Sequence, residues 1–232
     1  MKIALIGYGV MGRLIETLAQ DKGHEVICRL DDTHAELEAN EFALRLDGAD
    51  VAIDFSIAKA VKRNVDACSA AGIPLVEGTT GWNRQAEEIR QLVIDRGDTM
   101  IYGANFSIGV NLFYRIVDRA AELFSKVDQY EPFIEEQHHS RKIDSPSGTA
   151  LRLKSIVDEH VSKEFSVAAT RAGNIPGTHR VGFDGAADQV VLEHLARNRE
   201  GFASGAVLAA EWVQGRQGCW EFTEVMDQIV GE

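Results

Sequence analysis

Cysteine is scarce in this chain: Cys28, Cys68 and Cys219 are the only three among 232 residues, with no CxxC spacing. That excludes a disulfide framework and the common zinc motifs, and it fits buried thiols in a reducing, cytoplasmic compartment. Long apolar runs are also missing. None approaches the ~20 residues of a membrane span, so no membrane partner is expected. The start, Met-Lys-Ile-Ala-Leu-Ile-Gly, is apolar too briefly to read as a secretory signal. Positive charge is in short supply, with 24 Lys and Arg against 36 Asp and Glu and a formal net charge of −12. A nucleic-acid partner is therefore not expected, because phosphate binding needs clustered cations, and no helix-turn-helix signal is present. What remains is 45% hydrophobic and 26% charged, the composition of a globular protein. The length suits one large domain or two small ones.

The first half alternates strand-like and helix-like segments. Ile3–Ile6 is a continuous apolar run, as in a strand buried on both faces of a parallel sheet. From Val10 the spacing turns helical, with Val10, Leu14 and Leu18 on one face beside Met11 and Ile15, and Gly23 as a C-cap. Strands are expected at Glu25–Leu30, Val51–Phe55, Ile73–Glu77 and Thr99–Tyr102. Helices are expected from a Ser56 cap to Ala71 and from Asn83 to Arg96, while Asp31–Asp50 reads mostly as loop. This alternation implies βαβ units in a doubly wound, Rossmann-type parallel sheet. The second half predicts a helix over Ile108–Leu123, a strand at Tyr130–Glu136, a helix over Gly148–Glu159 and strands at Val167–Thr170 and Val190–His194. That is a smaller α+β domain with an open mixed sheet. Gly205–Val213 and a Trp220–Phe222 strand are expected to return to the first domain. The expected division is residues 1–107 with 200–232 for a dinucleotide, and 108–199 for substrate and oligomerisation.

Three motifs carry chemistry. Gly7-Tyr8-Gly9-Val10-Met11-Gly12 is a GxGxxG between strand and helix, the arrangement that brings backbone and a helix N-terminus to a pyrophosphate. About 20 residues on, Asp31 or Asp32 stands where a ribose hydroxyl acceptor belongs, and Asp31 is the choice. Two adjacent carboxylates would repel a 2′-phosphate, so NADH is preferred over NADPH, although Arg29 lies close in sequence. Gly78-Thr79-Thr80-Gly81 and Ala104-Asn105-Phe106-Ser107 follow later strands, where ligands bind in such folds. A plain turn at the first and a core role for Phe106 remain open.

The third motif concentrates cations in an acidic chain. His138, His139, Arg141 and Lys142 lie within five residues, followed by Asp144 and by Pro146-Ser147-Gly148-Thr149-Ala150 at a helix start. A solvated basic loop is the bland alternative. Cations plus a helix N-terminus suit a small polyanion such as a dicarboxylate, and histidine or lysine can move a proton. Adjacent histidines lack the i,i+4 spacing of helical metal ligands, so no metal is expected.

The run Glu136-Gln137-His138-His139-Ser140-Arg141-Lys142-Ile143-Asp144-Ser145-Pro146-Ser147-Gly148-Thr149-Ala150 resembles the signature of the dihydrodipicolinate reductase family. The GxGxMG turn, Asp54-Phe55-Ser56, Gly78–Gly81, Ala104–Ser107 with Gly109-Val110-Asn111, and Arg171-Ala172-Gly173 are similar to family sequence in the same order. The resemblance implies reduction of a cyclic unsaturated dicarboxylate to tetrahydrodipicolinate by NADH or NADPH, in lysine and meso-diaminopimelate biosynthesis. By resemblance, His138 is a general acid or proton relay and Lys142 the proton donor, while His139, Gly148 and Thr149 bind substrate carboxylates. Gly7–Gly12, Asp31, Gly78–Thr80 and Ala104–Ser107 would hold the dinucleotide. A homotetramer assembled through the second domain's sheet is likewise implied.

The chain departs from the family pattern at Asp32, where some members carry a basic residue, and around Arg199, where Glu193–Arg199 matches only partly. Another Rossmann-type dehydrogenase, a non-catalytic dinucleotide sensor and a protein binding metal through the paired histidines are the other readings. The intact His-His block speaks against the first two.

Overall fold

A computed structural model describes residues 1–231, which divide into two compact units, Met1–Ile108 with the chain from Glu200 onward, and Gly109–Arg199. In the first unit the strands are β1 (Lys2–Ile6), β2 (Glu25–Leu30), β3 (Val51–Asp54), β4 (Leu75–Glu77) and β5 (Thr99–Tyr102). The helices α1 (Val10–Asp21), α2 (Ala39–Arg45), α3 (Val61–Ala71) and α4 (Ala86–Arg96) alternate with them. The second unit runs α5 (Ile108–Phe124), β6 (Glu131–His138), α6 (Gly148–Asp158), β7 (Val167–Arg171), β8 (Thr178–Asp184) and β9 (Gln189–Leu195). The chain then adds α7 (Glu200–Trp212), β10 (Gly218–Glu221) and α8 (Phe222–Val230) to the first unit.

The first sheet has the order β10-β5-β4-β3-β1-β2 and every pairing is parallel. Period-two alternation along β1 explains why both faces are covered. Ile3 and Leu5 enter a core with Ile15, Ala19, Ala206 and Val225, whereas Ala4 and Ile6 enter another with Phe42, Val61, Val65 and Ile89. The chain reverses direction across the sheet between β1 and β3, and the loops after those two strands mark the crevice where ligands bind in open α/β sheets.

The second sheet is mixed, in the order β7-β6-β8-β9, with only the β6–β7 pairing parallel. Ile134, Val181 and Phe183 face a core closed by Phe113, Tyr114 and Val117 of α5 and Leu153, Ile156 and Val157 of α6. Ion pairs of Arg180 with Glu135 and Glu193 join β6, β8 and β9.

Several expectations are corrected. Val10 does not share a buried face with Leu14 and Leu18; it is 68% exposed, and α1 buries Ile15 and Ala19. Ile57, not Ser56, precedes the first helical turn after β3. The 31–50 stretch, expected mostly as loop, holds a 3₁₀ turn at Asp32–His34 and α2, where Glu38 and Glu41 cap each other reciprocally. Phe222 starts a helix instead of ending a strand, and Gly205–Val213 falls largely within α7. β8 was not anticipated, because His179, Arg180 and Gly182 break its apolar pattern. Gly182 is required there, since the Phe133 ring occupies the place a side chain would take.

Candidate active site

In the first unit, Gly7 leaves β1 at φ +84, and a Cβ there would strike the Phe55 carbonyl. Gly12 sits against the Gly7 carbonyl in the same way. Gly9 differs: nothing lies within 4 Å of where its Cβ would be, so this backbone is open to a ligand. Gly9 also caps α1 without a side-chain hydrogen bond. The helix dipole and first N–H groups of α1 therefore suit an anion. A cavity of about 520 Å³ opens beside this turn, lined among others by Tyr8, Asp31, Ser56, Lys59 and Arg63. These features fit the pyrophosphate and one nucleoside of a dinucleotide.

The charges around the cavity are mostly committed. Glu16, buried on α1, takes the Tyr8 hydroxyl and the Arg29 guanidinium, with Gln20 at 3.2 Å. Arg29 is thus neutralised by Glu16. Arg63 donates to the carbonyls of His34, Ala35 and Leu37 and lies 4.2 Å from the Phe42 ring centroid. Asp31 lines the cavity, and donors from Thr33 and then His34 hold its carboxyl below the usual range. Asp32 and Glu36 add two further carboxylates to the lining.

The later loops carry their expected residues in distinct ways. A Cβ on Gly78 would run into the Phe55 ring, so the flat ring this glycine accommodates is the protein's own. Thr79 is buried: its N–H donates to Glu77 at 2.7 Å and its hydroxyl meets Asp54 and the Ser56 N–H. Thr80 is exposed. Ala104 is exposed and Asn105 half-buried, and the Asn105 side chain accepts from the Ser107 N–H at 2.9 Å. Phe106 is a core residue, packed edge-on to Phe55 and at a tilt to Phe222 with ring centroids at 5.9 and 4.6 Å. Only its backbone is left for a ligand. Met11 packs on the same core.

In the second unit, His138 ends β6 as a buried side chain and His139 follows half-buried. His138 Nδ1 bonds Glu136, whose carboxylate also takes two Arg171 donors at 2.6 and 2.9 Å and the Ser147 N–H at 3.0 Å. Burial pushes the Glu136 carboxyl up, but the Arg171, His138 and Ser147 donors outweigh it and leave it low. An ionised carboxylate only accepts, so Nδ1 carries the hydrogen and Nε2 of the neutral ring is the free, reactive nitrogen. Nε2 stays clear because residue 177 is glycine, at φ +147: a Cβ there would sit 3.1 Å away. Burial lowers the His138 pKa more than Glu136 raises it.

Lys142 Nζ pairs with Asp144 at 2.7 Å, and Asp144 also accepts from the Gly148 N–H at the start of α6. These donors hold the Asp144 carboxyl below the usual range. Ser147 caps α6 through Ala150 N at 3.2 Å, Gly148 is exposed, and Thr149 is half-buried. Arg141 bonds Asn174 at 3.0 Å, which accounts for a residue without an expected role. Arg199 is exposed beyond β9.

Strand register supplies participants the spacing did not reveal. Arg171 lies opposite His138 on β7 and His179 opposite Glu136 on β8. His179 meets Ser147 Oγ at 3.2 Å and its ring stands 5.1 Å from that of His138. Burial first, then repulsion between the two rings when both are protonated, pushes the His179 pKa down to about 4. Glu136, His138 and His179 have the residue types of a metal cluster, but Arg171 and Ser147 already occupy the carboxylate. Only Arg171, within the family-like Arg-Ala-Gly, left a trace in sequence; His179 left none.

Two family models match the chain: "Dihydrodipicolinate reductase, N-terminus" over residues 1–106 and "Dihydrodipicolinate reductase, C-terminus" over residues 109–226. The 4-hydroxy-tetrahydrodipicolinate reductase of Christiangramia forsetii is 37% identical over 241 residues, covering 99% of both chains. That of Methanosarcina barkeri is 32% identical, covering 97% of this chain and 99% of its own. The same fold occurs in the dipicolinate-bound dihydrodipicolinate reductase of Paenisporosarcina sp. TG-14, with a TM-score of 0.79 and 21% identity over 97% of this chain and 99% of that one. With both halves of the chain matched and full-length relatives above 30% identity, the chain belongs to the dihydrodipicolinate reductase family.

Proposed function

We propose that this family member, a pyridine-nucleotide-dependent oxidoreductase, reduces 4-hydroxy-tetrahydrodipicolinate to tetrahydrodipicolinate, with the second unit holding the dianion and supplying the proton. The observation that carries the reading is the His138–Glu136–Arg171 network beside Lys142 and the α6 N-terminus. The relatives' names supply the substrate. The first unit holds the dinucleotide, through backbone at Gly7–Gly12 and around Thr80 and Ala104–Ser107, with Asp31 at the adenosine ribose. A bound reduced nicotinamide supplies the hydride.

The residues of the second unit do the rest. Lys142 neutralises one substrate carboxylate and delivers the proton that balances the incoming hydride. His138, oriented by Glu136, relays a proton by first accepting it at Nε2, and acts as a general acid there only when the ring is protonated. His139 and the N–H groups of Gly148 and Thr149 hold the carboxylates against the helix dipole. Charge that develops on the substrate is met by fixed cations, where electrostatic stabilisation is worth most. The decisive measurement is NADH oxidation, followed optically, on adding the freshly made condensation product of pyruvate and aspartate semialdehyde. Turnover is expected. A folded, NADH-binding protein that gives none would sink the reading.

NADH is the preferred hydride source. Asp31, Asp32 and Glu36 outnumber Lys59 and Arg63 in the cavity lining, and Arg29 is paired with Glu16, so a 2′-phosphate meets net negative charge. Like charges in contact oppose binding by several kcal/mol, so kcat/KM for NADPH is expected at least about tenfold below that for NADH. Parity between the two cofactors in that comparison would reject the preference. A homotetramer and a cytoplasmic location complete the proposal, supported by family membership and by the three scattered cysteines.

A further inference from the structure

Two fully buried carboxyl groups in the first unit have no part in the chemistry above. Asp54 ends β3 and Glu77 ends β4, opposite each other in register, and neither is exposed to solvent. From each starts a loop proposed to carry the dinucleotide: Phe55-Ser56 after Asp54, and Gly78-Thr79-Thr80 after Glu77. Their hydrogen bonds are unequal. Asp54 accepts from Ser56 N–H at 2.8 Å, Asn64 Nδ2 at 2.6 Å and the Thr79 hydroxyl at 3.3 Å. Glu77 accepts from Thr79 N–H at 2.7 Å and faces the Thr79 hydroxyl and the Asp54 carboxyl, while its Oε2 has no hydrogen-bond donor. No cation pairs with either carboxyl among the described residues; Arg63 reaches Asp54 only through the Asn64 side chain.

Two buried anions on neighbouring strands, unpaired by any cation, repel each other and lack water to solvate them. One must stay neutral. The anion belongs where the donors are, on Asp54, and the proton on Glu77, which has an oxygen without a donor. Burial pushes both carboxyls up, the donors around Asp54 work against it, and the charge of Asp54 pushes Glu77 further.

We propose that Asp54 and Glu77 are a positioning pair, one ionised and one protonated, that sets the Ser56 and Thr79 loops for the dinucleotide. Asp54 gathers Ser56 N–H and the Thr79 hydroxyl, and Glu77 fixes the Thr79 N–H, so both loops are tied to one charge. Trp82 Nε1 clamps the same turn by donating to the Thr79 carbonyl at 2.7 Å. The register row across the sheet is Ile6, Asp54, Glu77, Tyr102 and Glu221, and α3 adds Cys68. Burial keeps Cys68 neutral and pushes Tyr102 up to about 12, and Asp98 adds negative charge from before β5. The nearest cations, Arg63 behind Asn64 and Arg90 over the Tyr102 ring, pair with neither carboxyl, so loss of the Glu77 proton finds no directly paired cation.

The proposal rests on these loops binding the dinucleotide, and the test separates the two ideas. Glu77→Gln keeps the shape and cannot ionise. A raised carboxyl pKa means that the folded state holds a proton the unfolded state has lost, so stability falls as pH rises above the ordinary carboxylate range. Wild type is therefore expected to lose melting temperature relative to Glu77→Gln as pH is raised from mildly acidic to alkaline. Over the same interval the NADH Kd of wild type should weaken severalfold more than that of Glu77→Gln, and Asp54→Asn should bind NADH more weakly at every pH. Parallel melting and binding profiles for wild type and Glu77→Gln would overturn the pair. Wild type that shows the melting difference but binds no NADH would overturn the dinucleotide reading and leave the shared-charge state standing. A protonated-carboxyl infrared band in wild type, lost in Glu77→Gln, reads the same proton without nucleotide; its absence from wild type counts against the pair.

Discussion

Replacing Lys142 by Ala or His138 by Gln is expected to lower kcat by ~10²-fold or more while leaving NADH binding nearly intact. Both residues lie in the second unit, and the glycine turn that suits the dinucleotide lies in the first. The loss should fall on the chemical step because proton transfer and charge stabilisation are needed only as the hydride arrives. A Lys142 that merely anchored a carboxylate would instead raise KM with kcat preserved. The pH dependence separates the two residues. Burial lowers the His138 pKa despite its bond to Glu136, so the ring is neutral near pH 7 and Lys142 is the better proton source. If an imidazolium were the working form, kcat/KM would fall as pH rises through a value below the usual histidine range. That limb would vanish in His138→Gln. Near-normal turnover in both variants refutes the assignment of the proton to this cluster.

Removal of the Glu136 side chain is the second large effect. Glu136→Ala would strand the Arg171 guanidinium, the His138 Nδ1–H and the Ser147 N–H in a buried place, and breaking a buried pair from one side costs about 3–5 kcal/mol. Thermal melting should register that loss, and kcat should fall as well because His138 loses the acceptor that fixes its tautomer. Glu136→Gln keeps the volume but turns an amide donor towards Arg171, so it should recover part of the stability and little of the turnover. The pH sign follows from a depressed carboxyl. The ionised Glu136 stabilises the fold fully above about pH 4–5 and loses that contribution as pH falls through its lowered pKa. Glu136→Ala should therefore show a weaker acid-induced decline. A variant melting like wild type, with the same acid profile, would mean the network contributes little.

Much of this was legible residue by residue where the physical demand is local. Ile3–Ile6 reads as a doubly covered strand because its neighbours on both faces are apolar, and Gly12 answers to the carbonyl of Gly7 in the same turn. The block from Glu136 to Ala150 showed its cluster of cations before a helix start through residue types, and its proposed roles came with the family resemblance. What stayed hidden depends on register. Arg171 reaches Glu136 across 35 positions of sequence because β7 lies beside β6, and His179 enters through β8, a strand whose apolar pattern is broken by Gly182. The same limit applied to Arg29. Its nearness to Asp31 suggested a phosphate ligand, whereas a bond to Glu16 on α1 removes it.

Asp144 has a consequence for how ligand recognition should be measured. Its carboxylate already sits between Lys142 and the Gly148 N–H, the two donors assigned to an incoming carboxylate. On the proposed assignment, binding at this point is an exchange of one carboxylate for another, with Asp144 acting as a tethered competitor at high effective concentration. The apparent affinity for substrate is the difference between two similar interactions. Added salt weakens both partners of the exchange, so the salt dependence of KM should be shallower than an unpaired Lys142 would give.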